Sequence, residues 1–314
     1  MHAMPAVNII LSTYNGSKHI RRQLDSLLSQ TYPNLAVYIR DDGSQDGTVG
    51  ILKEYVARSK AGREIILLGS HGGNLGCPAS FYQILRECKA ADYYAFCDQD
   101  DIWYPDKIKW AVERLQENRE RAPGRQRPCV YFSACDYYTD EGEFLRRSPA
   151  WEGEVTLTDV LYYTPASGFL LVFNEAARQE LVLKVDPGSE LHDRWLLRGA
   201  ACFGSILPDP RCSAAHIRHS EAVTAEDSSN SNLIRSFLQN EIGGTAMTDS
   251  KKHLAYFQRT FGNRLMKPQQ KALSLFTAPN SLQRQLRKLF YPKRLRARLA
   301  GEAAIRILFL IGKI

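Results

Sequence analysis

No run in this 314-residue chain reaches the roughly 18 consecutive apolar residues that a membrane-spanning helix needs. The first residues show no charged segment leading into an apolar stretch, so a cytosolic body is the expectation. The seven cysteines (77, 88, 97, 129, 135, 202 and 212) include no C-x-x-C pair and are odd in number. Several lie inside apolar runs, which predicts reduced core thiols and no zinc site. Neither G-x-G-x-x-G after a strand nor G-x-x-x-x-G-K-[ST] occurs, so dehydrogenase and P-loop readings lose their main support. Internal repeats and long low-complexity segments are missing as well. What excess charge there is, a formal +7, is local: residues 281–314 carry nine Lys or Arg against Glu302, a net +8 that leaves −1 for everything before.

What is present is an alternation. Val7 to Thr13 is nearly continuous in apolar residues, as a parallel strand covered on both faces should be. Tyr14 to Ser17 ends it, and Ile20, Leu24, Leu27 and Leu28 then recur at helical spacing up to Pro33. Leu35 to Arg40 repeats the strand and runs into Asp41 and Asp42, with a second helix from about Thr48. Ile65 to Leu68 makes a third strand, and Asn74-Leu75-Gly76 precedes a helix with Pro78 in its first turn. Tyr93 to Cys97 is a fourth, ending in Asp98, Gln99, Asp100 and Asp101. Further on, a helix follows Asp106, a strand spans Cys129 to Ser133, and helices are expected near 158–163, after Asn174 and from His192 to about Gly204. Strands are expected at Gly168 to Phe173 and at Ser213 to His219. This pattern predicts an α/β fold, a doubly wound, mainly parallel sheet with flanking helices, whose ligands bind beyond the carboxyl ends of the strands.

Three polar clusters fall at that edge: Ser12 to Asn15, Asp41 with Asp42, and Asp98 to Asp101. In an extended segment residues two apart point the same way, so Asp98 and Asp100 converge. Two convergent carboxylates repel unless a cation joins them, and Mg2+ or Mn2+ with oxygen ligands is the natural partner. A solvated acidic turn is the alternative reading of the same spacing.

Together these residues carry a resemblance. Val7-Asn8-Ile9-Ile10-Leu11-Ser12-Thr13-Tyr14-Asn15-Gly16, Asp41-Asp42-Gly43-Ser44-Gln45-Asp46-Gly47-Thr48 and Cys97-Asp98-Gln99-Asp100-Asp101-Ile102-Trp103 resemble the signature of family 2 glycosyltransferases, over roughly residues 5–225. Asp98 to Trp103 followed by His192-Asp193-Arg194-Trp195 is most similar to bacterial rhamnosyltransferases of surface polysaccharide assembly. The resemblance implies a GT-A fold and inverting, metal-dependent transfer from a nucleoside diphosphate sugar, dTDP-rhamnose first and a UDP-sugar second, onto a lipid-linked glycan.

Ser12, Thr13, Tyr14, Asn15, Asp42, Asn74 and Asp98 match its nucleotide-binding positions, with Asp42 accepting the pyrimidine N3 hydrogen. Asp98, Asp100 and His219 match metal positions, and Asp193 the catalytic base. Arg218 falls one place later than an arginine of that family which can reach the diphosphate, and His192, beside the base, and Trp195, by its ring, are candidate phosphate or acceptor contacts. Read without the resemblance, Asp193 would cap a helix, Trp195 would be core, and Asn74 would sit in a glycine turn.

The implied organisation is a glycosyltransferase domain over 1–230, with a nucleotide-sugar half to 110 and an acceptor half beyond it, and a helical region over 231–314. In the latter, Leu282, Leu286, Leu289 and Phe290 interleave with Arg284, Arg287 and Lys288, and Ile305 to Ile311 is apolar. Basic amphipathic stretches of this kind suit the inner face of an anionic membrane or a packed helix pair. Two other functions remain in play: a sugar-1-phosphate nucleotidyltransferase, although Ser12 to Gly16 offers it only one glycine, and an inactive carbohydrate-binding module. No nucleic acid partner is expected.

Overall fold

The computed structural model describes residues 4–69, 73–121, 126–218, 246–296 and 299–313. His71 and His219, and part of the region after 218, lie outside the described residues. The chain divides into two compact units, one formed by 1–154 with 166–220 and the other by 155–165 with 221–314.

In the first unit, β1 (Val7–Thr13) lies between β2 (Leu35–Asp41) and β4 (Tyr93–Cys97), and β2 pairs with β3 (Arg63–Leu67), all in parallel. Parallel central strands are covered on both faces, which is why β1 and β4 read as unbroken apolar runs. Ile9, Ile10, Leu11, Ala95, Phe96 and Cys97 are fully buried. Each large aliphatic or aromatic side chain among them contributes about 1.5–3 kcal/mol. Helices α1 (Ile20–Leu28), α2 (Thr48–Ala57) and α3 (Ala79–Glu87) return the chain between these strands. The apolar spacing predicted the inward faces: Ile20, Leu24 and Leu27 on α1, and Phe81, Ile84 and Leu85 on α3, are buried.

Beyond β4 the direction changes. β8 (Leu171–Asn174) is antiparallel to β4 and to β6 (Cys129–Thr139), while β9 (Ser205–Arg218) runs parallel to β6. Two short strands that the sequence pattern did not suggest, β5 (Ile102–Trp103) and β7 (Phe144–Arg147), pair with β9 and β6. β9 is much longer than the expected strand at 213. Its first half, Ser205 to Arg211, holds two prolines and two charges, so neither alternation nor an apolar run marks it. The turn Leu157–Val160 is a single 3-10 turn where a helix was expected, closed by a capping box between Thr156 and Asp159.

α4 (Lys107–Arg121) follows the acidic segment, α5 (Glu175–Arg178) is capped by Asn174, and α6 (His192–Phe203) ends at Gly204. There the chain turns against the backbone of Pro128, so that a Cβ on Gly204 would lie 1.6 Å from the Pro128 carbonyl oxygen.

The second unit has its own core. α7 (Ala246–Phe261), α8 (Lys267–Thr277), α9 (Leu282–Leu289) and α10 (Leu299–Leu310) bury Leu254, Phe257, Phe261, Leu273, Phe276, Ile305, Leu308 and Phe309. Tyr162 joins that core, 5.6 Å from Phe276 and 6.1 Å from Phe309 between ring centroids.

Because the Pro128 backbone cannot retreat without disturbing the β6–β9 pairing, Gly204→Ala should destabilise the first unit by about 3 kcal/mol. Thermal unfolding followed by circular dichroism checks this, and an unchanged melting temperature would refute the close-approach argument.

Candidate active site

The carboxyl ends of β1, β2 and β4 place Thr13, Asp41 and Cys97 at one edge of the sheet, and the following residues build the site. Asp41 works on the scaffold. It accepts from Thr13 Oγ1 (2.9 Å), Ser44 Oγ (2.6 Å) and the amides of Gly43 and Ser44, closing the turn after β2. Asn15, in the left-handed region at φ 47, bridges to the same turn: its amide donates to Ser44 Oγ and its Oδ1 accepts from the Gln45 amide.

Gln99 clamps the first loop. Its Oε1 accepts from the Tyr14 amide (2.9 Å) and its Nε2 donates to the Tyr14 carbonyl (3.0 Å). The clamp needs Gly16, where a Cβ would lie 2.3 Å from Gln99 Oε1. Tyr14 is thereby held with its ring half exposed, as a stacking surface would be.

Asp42 is buried and heavily engaged. It accepts from the amides of Leu75 (2.8 Å) and Gly76 (2.7 Å) and pairs with Arg40, which is itself fully buried. Arg40 also donates to Ser80 Oγ and to the Gly73 carbonyl, and Ser12 donates to Ser80 Oγ at 2.7 Å. Asp42 therefore docks the Asn74 loop onto β2. Arg40 was not among the expected site residues. Its signal was an arginine closing an apolar run immediately before two carboxylates.

Asp98 differs from its neighbours in having no hydrogen-bond donor or cation on its carboxylate among the described residues. Removal from water, then the charges of Asp101, Asp100 and Asp193, push its pKa well above the usual carboxylate value. Cys77 senses the same group: although its residue is exposed, partial desolvation of the thiol and the charges of Asp98, Asp193 and Asp42 raise it to about 11. Such couplings require proximity, so residues far apart in sequence meet at one site.

Asp101 is turned away, onto His216 Nδ1 at 2.7 Å, with its Oδ2 buried and unpartnered. His216 stacks on Phe169 at 5.3 Å. Burial lowers the His216 pKa, but the Asp101 hydrogen bond and the charges of Asp101 and Asp100 outweigh it and leave the imidazole above its usual value. His216, like Arg40, escaped the sequence reading, because only the register of β9 against β5 brings it to Asp101. Lys107 is buried nearby, donates to Ser213 Oγ, and is lowered to about 8 by desolvation.

Asp193 stands in the first turn of α6. Burial raises its pKa, and the Arg194 amide at 2.6 Å only partly offsets that. The helix start is pinned by the buried pair of Glu190 and Arg198 and by Tyr82, whose hydroxyl donates to the Glu190 carbonyl.

Two expected contacts are corrected. Trp195 is fully buried and donates to the Leu181 carbonyl, so it offers no face to a sugar. His192 is buried between Phe81 and Phe96, each with its ring centroid 4.3 Å away, and is not a phosphate or acceptor contact. Arg218 lies over the Tyr137 ring, 5.2 Å from its centroid, and its charge is felt by His216.

Among the described residues, no three His, Cys, Asp or Glu side chains are grouped so as to hold a metal ion. The donor set nevertheless suits a hard divalent ion. Asp98 has no partner among the described residues, Asp100 follows two residues later, and ions of this class fill their remaining positions with substrate phosphates and water.

Residues 8–142 match the family model described as Glycosyl transferase family 2. They are a family 2 glycosyltransferase domain. The chain is 36% identical over 110 residues to the dTDP-rhamnosyl transferase RfbG of Shigella flexneri, covering 34% of this chain and 37% of that protein. It is 28% identical over 203 residues to an uncharacterized glycosyltransferase of Haemophilus influenzae, covering 62% and 60%. The matched region spans about a third of the length of the first of these curated relatives. Among solved structures, S. aureus TarS 1-349 in complex with UDP-GlcNAc superposes with a TM-score of 0.58 at 19% identity, over 97% of this chain and 79% of that one. The glycosyltransferase domain thus has the GT-A fold, with Asp42, Asp98 and Asp100 inside the matched segment and Asp193 beyond it.

The buried His192 generates a pH prediction. Desolvation lowers its pKa from 6.5 to about 3, so between those values the unfolded chain binds a proton that the native one refuses. Stability is therefore lost as pH falls through that window. The wild type should lose about 1.4 kcal/mol per pH unit more than His192→Leu does, as measured by denaturant unfolding at pH 6.5 and pH 4.5. Parallel slopes would place the imidazole in water.

Proposed function

We propose that the chain transfers a sugar from a nucleoside diphosphate donor to a hydroxyl of a glycan acceptor, inverting the anomeric centre, with Asp193 as general base. The observation that carries this reading is a pair of half-buried carboxylates from distant parts of the chain: Asp98 follows the carboxyl end of β4 and Asp193 stands in the first turn of α6, burial raises the pKa of both, and Asp98 also feels the charge of Asp193. One suits the donor side, the other the proton of an attacking hydroxyl.

Tyr14 supplies a half-exposed ring beside the turn that Asp41 and Asn15 hold. Asp42 keeps the loop at Leu75 and Gly76 in place and retains acceptor capacity on Oδ2 for a pyrimidine N–H. Asp98 and Asp100 would hold Mg2+ or Mn2+, which offsets the negative charge growing on a leaving diphosphate. Asp193, its proton affinity raised by burial, takes the acceptor proton at its free carboxylate oxygen while the Arg194 amide holds the other. The name of RfbG favours dTDP-rhamnose as donor, and the TarS complex keeps UDP-sugars as the second choice.

Asp193→Asn should keep nucleotide affinity while turnover falls by about 10²–10⁴. In the wild type, kcat/KM should rise with pH through an apparent pKa above the ordinary carboxylate range. Equal loss of donor binding in Asp193→Asn would remove Asp193 from the role of base. Asp100→Ala should abolish transfer, and EDTA should do the same to the wild type until Mn2+ is restored; activity indifferent to EDTA would end the metal reading.

A further inference from the structure

The outer faces of α9 and α10 are apolar and uncovered. On α9, Leu282 and Leu286 are exposed and Phe290 continues the stripe past the helix end, at 74%, 43% and 76% accessibility. On α10, Leu299, Ala303, Ile307 and Leu310 are exposed at i, i+4, i+8 and i+11, one stripe of a 3.6-residue helix, and exposed Ile311 continues it just past the helix end. The opposite faces are already committed. Ile305, Leu308 and Phe309 fill the unit's core, Lys288 is buried against Asn280 Oδ1, and Arg306 is tied to the Lys288 and Leu289 carbonyls and to Glu302. The helix pair is therefore a packed platform, and its two stripes are surplus to folding.

Charge selects what can cover them. Arg287 on α9 and Lys293 and Arg294 in the connection are exposed, and one acid, Glu302, accompanies the nine cations of residues 281–314. A second copy would bring the same positive surface against itself. A nucleic acid would match the charge but would leave the aliphatic stripes facing water. An anionic bilayer satisfies both, with cations among phosphates and Leu, Ile and Phe side chains at the acyl boundary. No helix among the described residues is long and apolar enough to cross a membrane.

We propose that α9, α10 and the basic segment Phe290 to Arg296 that follows α9 form a peripheral docking surface for anionic lipid bilayers. The inference does not depend on the transfer chemistry, and its test involves no sugar donor.

The full-length chain should co-sediment with vesicles of phosphatidylcholine mixed with phosphatidylglycerol and remain in the supernatant with phosphatidylcholine alone. Raising the salt concentration should release it. Arg287→Gln with Arg294→Gln should weaken binding about fivefold for each charge removed. Leu286→Gln with Phe290→Gln should weaken it at least about tenfold. All four side chains are exposed, so thermal unfolding of both double variants should match the wild type. Failure to bind anionic vesicles, or binding that neither pair of substitutions alters, would overturn the proposal. So would a wild-type dimer in sedimentation equilibrium that Leu286→Gln with Phe290→Gln converts to monomer, since a second copy would then own the stripes.

Discussion

The site depends on keeping several carboxylates together at the edge of a sheet, partly out of water. Repulsion and desolvation both oppose that arrangement. The protein meets the cost unevenly. Asp42 has a buried arginine and two backbone amides, Asp101 has an imidazole, and Asp41 has a turn full of donors. Asp98 and Asp193 receive the least compensation, and both have raised pKa values. Groups left under-compensated inside an otherwise satisfied framework are those most ready to accept a cation or a proton.

The surrounding structure makes this tolerable by being rigid. Gln99 holds the backbone of the β1 loop by both its donor and its acceptor, and that works only because Gly16 leaves room for it. Glu190, Arg198 and Tyr82 fix the start of α6, which determines where Asp193 points. Removing one partner of such a buried pair generally costs about 3–5 kcal/mol, because the other charge is stranded. Gln99, Glu190, Arg198 and Tyr82 thus act on the site through the backbone they hold.

His192 and Asp193 illustrate how little neighbouring positions need to share. One ring is sealed between Phe81 and Phe96 and stays neutral, while the next residue turns into the site. The helix start separates them by about 100° around its axis, which is enough to send one inward and one outward. A similar division runs along α10, where Ile305, Leu308 and Phe309 face the core and Ile307 and Leu310 face out.

Sequence alone was enough for the alternating strands and helices of the first hundred residues, because fully covered parallel strands and amphipathic helices write their burial directly into local periodicity. It also set Asp41, Asp42, Asp98 and Asp100 at strand ends, since carboxylates there stand out against apolar runs; Asp193 was marked only by the resemblance, because a carboxylate in a first helical turn reads by itself as a cap. Tertiary structure alone decided the rest. β5 and the first half of β9 exist by pairing with strands distant in sequence, and β7 by folding back on β6, so their own residues carry no pattern. Arg40 and His216 became site residues only when folding set them beside Asp42 and Asp101. His192, polar in sequence, was drawn inward because α6 packs its first turn against the sheet, whereas the burial of Trp195 was already legible in its residue type and place on an amphipathic helix. Local periodicity records which face of an element is dry; which side chains meet across elements is settled only by register and packing.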